Sequence, residues 1–245
     1  MVSTRYPAVV SVSAFFPCFN DEFSIAGMVR DVRDALVDAV DEFEIIVIDD
    51  GSTDGSLAVL RALADEVPEL RIVVHEANRG YGGALQSGFA AATKQWIFYT
   101  DGDAQYDAGE IVRCLDAARD DVDVVQGFKI GRGDAWYRRA IGRAYHHTVK
   151  LLFDLPVRDT DCDFRLIRAS MMQRIELTST SGVICVELMH SLAQLDARFV
   201  EVGVSHHWRP HGRSQFFRLP RIARSAQQLG ALWWRMRVTP LVGRR

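Results

Sequence analysis

Four short apolar runs, each followed by a loop of polar residues or glycine and then by a helical pattern, constrain the fold of this chain most strongly. The runs are Val9–Phe16, Glu44–Asp50, Arg71–His75 and Trp96–Tyr99. Their length and their β-branched and aromatic residues predict buried strands. Because right-handed βαβ connections bring the ends of parallel strands to one edge of a sheet, we expect the four loops to meet there.

Length and composition agree with one large α/β domain of 245 residues, 48% apolar and 25% charged. The chain has four widely spaced cysteines and no C-x-x-C pair, which favours neither a zinc site nor a disulfide framework and suggests a reducing cytoplasm. The N-terminus lacks the pattern of a signal peptide, and no window reaches about 18 uninterrupted apolar residues. We therefore expect that the chain does not span a membrane by itself.

Two carboxylates, Asp101 and Asp103, follow the fourth apolar run directly. Hard oxygen ligands at the carboxyl end of a strand suit a divalent metal that holds a diphosphate. For an isolated D-x-D pair, an aspartate-rich turn capping the helix near Ala108 is the more common explanation. The interpretation therefore depends on the neighbouring loops.

Those loops carry an ordered series of motifs. They are P-x-F-N-D at Pro17 to Asp21, D-D-G-S-T-D-G at Asp49 to Gly55, N-x-G-x-G-G-A at Asn78 to Ala84, and D-x-D-x-Q at Asp101 to Gln105. In these motifs the chain resembles the family-2 glycosyltransferases, and most of all the dolichol-phosphate-mannose synthases and their bacterial polyprenyl-phosphate relatives. Each motif alone is weak, but four in the same order over residues 9 to 107 are specific.

The resemblance implies an α/β fold of the GT-A nucleotide-diphospho-sugar transferase type, with a mostly parallel central sheet and helices on both faces. It implies a transferase domain over residues 1–219, whose nucleotide-sugar half ends at about 107 and whose acceptor half spans about 108–219. Residues 220–245 are expected to form a basic amphipathic helix and a tail.

The resemblance also implies the residues of the site. Asp101, Asp103 and Gln105 are expected to hold a divalent metal, Mg²⁺ or Mn²⁺, while Asp50 and the Asn20–Asp21 turn recognise base and ribose. The full set of expected substrate-binding residues is Pro17, Phe19, Asn20, Asp21, Asp50, Gly51, Ser52, Arg79, Gly80, Asp101, Lys129, Arg138 and Ser214.

The second half of the chain is expected to bind the acceptor. A strand at Asp123–Lys129 precedes a basic helix that contains Arg138, Arg139 and Arg143. Val157–Arg168 resembles the family's D-x-x-S-G-F-R stretch, with Asp159 on its first aspartate, although Cys162 and Asp163 replace the usual small residues. Arg209–Ser214 resembles the R-x-x-G-x-S loop that lies near the metal and the phosphates in the polyprenyl-phosphate enzymes.

Two acceptor chemistries remain open. A hydroxyl acceptor needs a general base, for which Asp159 or Asp161 would serve. A phosphate acceptor is already an anionic nucleophile, and cationic side chains then matter more than a base, because arginine offers bidentate geometry to phosphate. The candidates for that task are Lys129, Arg138, Arg209 and Arg213.

The C-terminal stretch is strongly basic, with no Asp or Glu after Glu201. Its apolar residues recur at three- and four-residue steps, at Ile222, Ala226, Leu229, Trp233 and Met236, and arginines flank them at Arg221, Arg224, Arg235 and Arg237. This pattern predicts a basic amphipathic helix over Arg221–Val238, as found at membrane surfaces. The alternative is a helix that packs on the domain with a solvated arginine face; nucleic-acid binding is disfavoured because no recognition motif accompanies the arginines.

Other polar residues are given no chemical role. The adjacent pairs His146–His147 and His206–His207 point in different directions and make poor chelating pairs. Glu187, on a helix expected at Val183–Leu195, matches a family glutamate only loosely and is interpreted as facing solvent or bordering the core.

The sequence therefore predicts an inverting, metal-dependent glycosyltransferase that moves a hexose from a nucleotide-diphosphate sugar to a polyprenyl phosphate. We expect the protein to attach peripherally to the cytoplasmic face of the membrane. A membrane protein is a candidate partner, and no nucleic acid is expected to bind. The alternatives are a transferase acting on a saccharide or other hydroxyl, and a non-catalytic nucleotide-sugar-binding protein, which is disfavoured because both D-x-D carboxylates remain. A dehydrogenase is disfavoured because Pro17–Asn20 stands where G-x-G-x-x-G would follow the first strand.

Overall fold

The computed structural model describes residue 6 and residues 8–130, 148–208 and 219–238, with side chains in the last helix described from 226 to 236. In this part of the chain, seven strands form one mixed sheet in the order β3-β2-β1-β4-β6-β5-β7. The strands are β1 Ser11–Cys18, β2 Glu42–Asp49, β3 Leu70–Val74, β4 Trp96–Thr100, β5 Val124–Ile130, β6 Phe164–Arg168 and β7 Phe199–Ser205.

Strands β1 to β4 are parallel to one another, as the sequence predicts. Strand β6 runs antiparallel to both of its neighbours, β4 and β5, while β5 and β7 pair in parallel. The sheet is therefore mostly parallel, and its chain order reverses between β1 and β4. In open α/β sheets such a reversal opens a crevice at the carboxyl ends of the strands, where ligands bind.

Helices connect and follow these strands. They are α1 Ile25–Leu36, α2 Ser56–Glu66, α3 Gly80–Ala91, α4 Ile111–Ala117, α5 Ala169–Met172, α6 Ile184–Gln194 and α7 Leu219–Trp233. A short 3₁₀ turn at Ala108–Glu110 precedes α4, helical residues occur at 148–153, and a π-helical turn at Trp234–Val238 continues α7.

The central strands are apolar along their whole length because helices cover both faces of the sheet. All five residues of β4 are buried. On one face, α1 and α4 contribute Met28, Val32 and Ile111 to the core. On the other face, α3 and α6 contribute Leu85 and Leu188. The expected arrangement of helices on both faces is confirmed.

The C-terminal helix shares a third core cluster with α6 and the 148–153 segment. Leu229 and Leu232 are buried there beside Val186 and Met189, and Trp233 and Met236 pack against the cluster. The apolar stripe is therefore occupied by contacts within the protein from residue 229 onward, as in the packing alternative. Within the described ranges, no helix is both long and apolar enough to cross a bilayer.

Candidate active site

The loops after β1 and β2 interlock at the carboxyl edge of the sheet. The backbone N–H of Thr53 donates to Asn20 Oδ1 at 2.8 Å, and the N–H of Asn20 donates to Ser52 Oγ at 3.0 Å. Asn20 adopts a φ of 60°, a conformation that asparagine tolerates better than most residues. Asp21 closes the same turn, because its Oδ2 accepts the N–H of Phe19 at 3.2 Å. The predicted Asn20–Asp21 turn and the D-D-G-S loop thus form one surface.

Glycines allow two further loops to approach this surface. Gly51 has a φ of 72°, and a Cβ there would lie 2.9 Å from the backbone nitrogen of Asn78. A Cβ on Gly102 would lie 2.5 Å from the carbonyl oxygen of Pro17. Ser24 Oγ donates to the carbonyl of Gly102 at 2.9 Å, which ties the start of α1 to the D-x-D loop. Side chains larger than hydrogen would push these loops apart.

Asp50 lies beneath the turn that starts α3 and is 3% exposed. Its Oδ1 accepts the N–H of Arg79 at 2.8 Å and the Nδ1–H of His75 at 2.6 Å, and its Oδ2 accepts the N–H of Gly80 at 3.0 Å. His75 Nε2 in turn lies 2.9 Å from Ser87 Oγ. These contacts make Asp50 a support of the Asn78–Gly80 turn, and its contact with a base stays a prediction.

Asp101 stands directly after β4, with Tyr81 of α3 beside it. The phenol of Tyr81 donates to Asp101 Oδ1 at 2.7 Å. Burial, followed by the neighbouring carboxylates Asp163 and Asp103, raises the pKa of Asp101 well above its ordinary 3.8. Carboxylates crowded in this way favour a bound cation, because the cation relieves their mutual repulsion.

Asp103 and Gln105 are fixed by their own loop and by the end of β7. The N–H of Gln105 donates to Asp103 Oδ1 at 3.1 Å, and the intervening Ala104 has a φ of 55°. The N–H of His207 donates to the carbonyl of Gln105 at 2.8 Å, and Gln105 Nε2 donates to the carbonyl of His207 at 3.4 Å. The amide Oε1 of Gln105 is the end of that side chain suited to a hard cation.

The predicted metal set therefore offers two carboxylates and one amide on a single loop. Over the described ranges, no three or more His, Cys, Asp or Glu side chains are grouped to hold a metal ion. A cation bound by Asp101, Asp103 and Gln105 would take its remaining ligands from substrate phosphate and water, as Mg²⁺ commonly does. The carboxylate and amide oxygens of these three residues are of the kind that bind Mg²⁺.

The acceptor-side carboxylates differ in their surroundings. Asp159 is buried, and its two oxygens lie 3.4 Å from the N–H of Lys129 and 3.2 Å from the N–H of Asp161. Lys129 Nζ donates to the carbonyl of Asp161 at 2.7 Å. Burial, with Asp159 and Asp163 as further causes, raises the pKa of Asp161 to about 6, although Lys129 acts in the opposite direction. Asp159 thus shapes the turn, and Asp161 has the pKa suited to a base near neutral pH.

Three residues that the motif interpretation left without a role lie next to this centre. They are Tyr81, Asp163 and Arg165. Asp163 Oδ1 accepts from Arg165 at 2.7 Å and from the thiol of Cys185 at 3.0 Å. Asp163 was marked in the sequence only because it replaces a small residue of the D-x-x-S-G-F-R stretch. Tyr81 occupies a variable position of N-x-G-x-G-G-A, so the motif gave no signal for it. Arg138, Arg209, Arg213 and Ser214 lie outside the described residues.

Comparison with known proteins identifies the family. The sequence profile of Glycosyl transferase family 2 matches residues 13–176, which is more than half of the chain. The chain belongs to this family. The matched region contains most of β1, all of β2 to β6 and the whole D-x-D-x-Q loop.

Named relatives act on polyprenyl phosphates. The undecaprenyl-phosphate 4-deoxy-4-formamido-L-arabinose transferase of Aeromonas hydrophila subsp. hydrophila is 30% identical over 206 residues, which cover 84% of this chain and 62% of that protein. The dodecaprenyl-phosphate galacturonate synthase of Rhizobium johnstonii is 29% identical over 210 residues, with the same two coverages. The chain thus spans less than two thirds of the length of these relatives.

Solved structures share the fold. The glucosyl-3-phosphoglycerate synthase of Mycobacterium tuberculosis, crystallised with Mn²⁺, UDP-glucose and glycerol 3-phosphate, superposes with a TM-score of 0.69. Its sequence is 18% identical, and the superposition covers 94% of this chain and 80% of that one. The same enzyme has also been crystallised with Mg²⁺ and UDP. The GT-A fold expected from the sequence is confirmed.

Proposed function

We propose that this chain is an inverting, metal-dependent glycosyltransferase that moves a hexose from a nucleotide-diphosphate sugar to a polyprenyl phosphate. One observation carries the proposal. The loops after β1, β2 and β3 meet the D-x-D-x-Q loop at the sheet edge where the strand order reverses, and the end of β7 lies along that loop. Relatives named for undecaprenyl and dodecaprenyl phosphate support this choice of acceptor.

The donor would lie across the joined loops of β1 and β2, with the Asn78–Gly80 turn supported by Asp50 at one side. Asp101, Asp103 and Gln105 would hold a divalent cation, Mg²⁺ or Mn²⁺, which supplies electrostatic stabilisation to the departing diphosphate. Tyr81 fixes the orientation of Asp101 by its hydrogen bond. Departure of the diphosphate then requires no protein acid within these loops.

The acceptor phosphate would enter from the side of Lys129 and the segment that follows β7. Lys129 Nζ already reaches the carbonyl of Asp161, so its charge lies at this edge of the site. Arg138, Arg209 and Arg213 are proposed to neutralise the phosphate on the strength of their motifs. The enzyme would work at the cytoplasmic membrane face, where a lipid phosphate is accessible.

A hydroxyl acceptor is the second candidate, and the surroundings of Asp161 favour it. Its raised pKa of about 6 leaves it ionised at neutral pH and still basic enough to take a proton. In that reaction Asp161 would accept the proton of the attacking hydroxyl. A solved structure of the same fold contains UDP-glucose and glycerol 3-phosphate.

The first experiment tests whether the protein transfers a sugar to a lipid acceptor. The protein is incubated with radiolabelled nucleotide sugars and membranes, and the product is recovered by organic extraction. We expect label in the organic phase, and its loss with excess chelator. Label that appears only in a soluble saccharide would replace the lipid-phosphate acceptor by the hydroxyl acceptor.

Asp103→Ala tests the metal site. Because this side chain offers an oxygen ligand and contributes little to packing, we expect a fall in kcat of about a hundredfold or more with an unchanged circular dichroism spectrum. Asp107→Ala is the matched control, since Asp107 caps the Ala108–Glu110 turn through Gly109 and should cost only about 1 kcal/mol of stability. Unchanged turnover of Asp103→Ala would exclude this site.

A further inference from the structure

Glu187 of α6 is a buried carboxylate outside the proposed donor and metal residues, and it is 1% exposed. It accepts the N–H of Ser179 at 2.8 Å, the hydroxyl of Thr178 at 3.0 Å and the N–H of Thr178 at 3.2 Å. Arg235, in the π-helical turn after α7, pairs with the same carboxylate and also donates to the Thr178 hydroxyl. Glu187 therefore binds the segment Thr178–Thr180 and the C-terminal helix at once.

The segment Thr178–Thr180 lies directly on the start of α3. The carbonyl of Thr180 accepts the N–H of Gly82 at 3.0 Å, and the carbonyl of Ser179 accepts Gln86 Nε2 at 2.9 Å. The approach is close enough that a Cβ on Gly82 would meet the Ser179 carbonyl at 2.2 Å. The position of the segment and the position of the first turn of α3 therefore depend on each other.

That first turn carries contacts to both ends of the proposed donor site. Tyr81 donates to Asp101, the first carboxylate of the D-x-D loop, and the N–H of Gly80 donates to Asp50. Gly80 itself has a φ of 81° and would clash with the Thr180 carbonyl if it carried a Cβ. A shift of Thr178–Thr180 would therefore reach the nucleotide side and the metal side of the site together.

We propose that Glu187 is a positioning residue for donor binding. It holds Thr178–Thr180 against the start of α3, and Arg235 makes the C-terminal helix part of that support. A carboxylate suits the task because it accepts several N–H and O–H donors at once, and charge-assisted hydrogen bonds are stronger than neutral ones. The inference rests on the proposed function, since it requires that a nucleotide sugar bind at this site.

The main test is Glu187→Gln, which keeps the shape of the side chain but removes its charge and one acceptor. We expect its Kd for nucleoside diphosphate with Mn²⁺, measured by calorimetry, to rise about tenfold, equivalent to about 1.4 kcal/mol. The KM for the donor should rise by a similar factor, while kcat changes much less, because the substitution leaves the predicted metal-binding side chains themselves unaltered. Arg235→Met should act in the same direction and more weakly.

Two further variants separate positioning from general stability. Gln86→Met removes the contact to the Ser179 carbonyl from the opposite side and should also raise the Kd, which keeps the test usable if Glu187→Gln does not fold. Arg168→Met is the stability control, since Arg168 stacks 4.3 Å from the Trp96 ring centroid and donates to Val122 at the other end of the sheet. It should lower the unfolding midpoint without changing the Kd.

The outcomes discriminate between this inference and the proposed function. If the parent protein binds no nucleoside diphosphate, both fail. If the parent binds and folded Glu187→Gln and Gln86→Met bind with the parent's Kd, the positioning role is wrong and Glu187 serves stability alone. A Kd raised equally in Arg168→Met would also contradict it.

Discussion

At the scale of single residues, Asp50 holds a turn with both oxygens of its carboxylate. It accepts from Arg79, Gly80 and His75, and the turn it holds borders the proposed base and ribose site. We therefore expect Asp50 to influence nucleotide binding through the shape of this turn, whether or not it contacts the base.

Asp50→Ala should therefore weaken binding of nucleoside diphosphate by tenfold to a hundredfold, because hydrogen bonds to a charged group contribute about 1.5–3 kcal/mol. Calorimetry measures the Kd, and Glu76→Ala, an exposed acid of the same loop, is the matched control. His75→Gln should reproduce part of the loss if Asp50 acts through the turn. Parent-like affinity in Asp50→Ala would refute both roles for this residue.

Asp161 allows the two acceptor chemistries to be distinguished by pH. A general base acts in its ionised form, so transfer to a hydroxyl would rise as pH increases through about 6, the pKa of Asp161. A phosphate monoester also loses its second proton near pH 6, so the profile of the parent enzyme alone does not decide. With a lipid-phosphate acceptor, we expect Asp161→Asn to keep the rise near pH 6 and most of kcat. Loss of that rise in the variant would favour the hydroxyl acceptor.

The raised pKa of Asp161 also makes the stability of the protein depend on pH. The folded-state pKa of Asp161 lies above its ordinary value, so folding favours the protonated form, and the corresponding stability is lost as pH rises through about 6. Replacement by asparagine should thus increase the free energy of unfolding at neutral pH and have less effect near the ordinary pKa of 3.8. Urea denaturation across this range measures the difference.

At the scale of elements, the C-terminal helix packs part of its surface against the protein and exposes another part. Its stripe from Leu229 to Met236 packs against α6, and Arg235 is engaged by Glu187, so neither is a free membrane contact. The side chain of Arg235 nevertheless stays 49% exposed, so this arginine lies at the surface and is paired within the protein at the same time. Trp234, at the end of the helix, is 61% exposed.

If the helix holds the protein on an anionic bilayer, Trp234 should contribute to attachment. Trp234→Ala should reduce recovery of the protein with anionic liposomes in flotation, and recovery of the parent should fall with added salt, because salt screens attraction to the lipid surface. Val74→Ala, which shortens an exposed apolar side chain on β3 at the sheet's edge, is the control. A parent protein that ignores anionic liposomes would contradict membrane attachment.

At the scale of the whole molecule, Arg165 joins the two halves of the sheet. It is fully buried in β6 and donates to Gln126 of β5 at 2.6 Å, to Tyr99 of β4 and to Asp163. Arg165→Met should lower the free energy of unfolding by about 3–5 kcal/mol, because it leaves Asp163 without its buried partner. Arg30→Met, which breaks the exposed pair with Glu66, should cost about 1 kcal/mol or less. Equal losses in urea denaturation would contradict a central role for Arg165.

The sequence was sufficient for the first half of the molecule because its signals are local. Apolar runs predict β1 to β4 within two residues of their observed ends, and the right-handed crossover rule brings their loops to one edge. The D-x-D-x-Q loop could be singled out for the same reason, since its predicted metal ligands are neighbours in the chain. Strand β6 was harder to recognise, because its antiparallel insertion between β4 and β5 depends on partners far away in sequence.

Only the tertiary structure decided which polar side chains are already engaged in hydrogen bonds or ion pairs within the protein. Asp50, Asp159 and Arg235 read from sequence as available groups, and each is engaged by partners that the sequence pattern does not reveal. Tyr81 reaches Asp101, and Glu187 reaches Arg235, across 20 and 48 positions of chain. A periodic pattern reports which face of an element is apolar, but hydrogen bonds between distant elements depend on how those elements pack. The sequence by itself therefore determined the family and the loops of the predicted site, whereas the hydrogen bonds that hold those loops in place were decided by the tertiary structure.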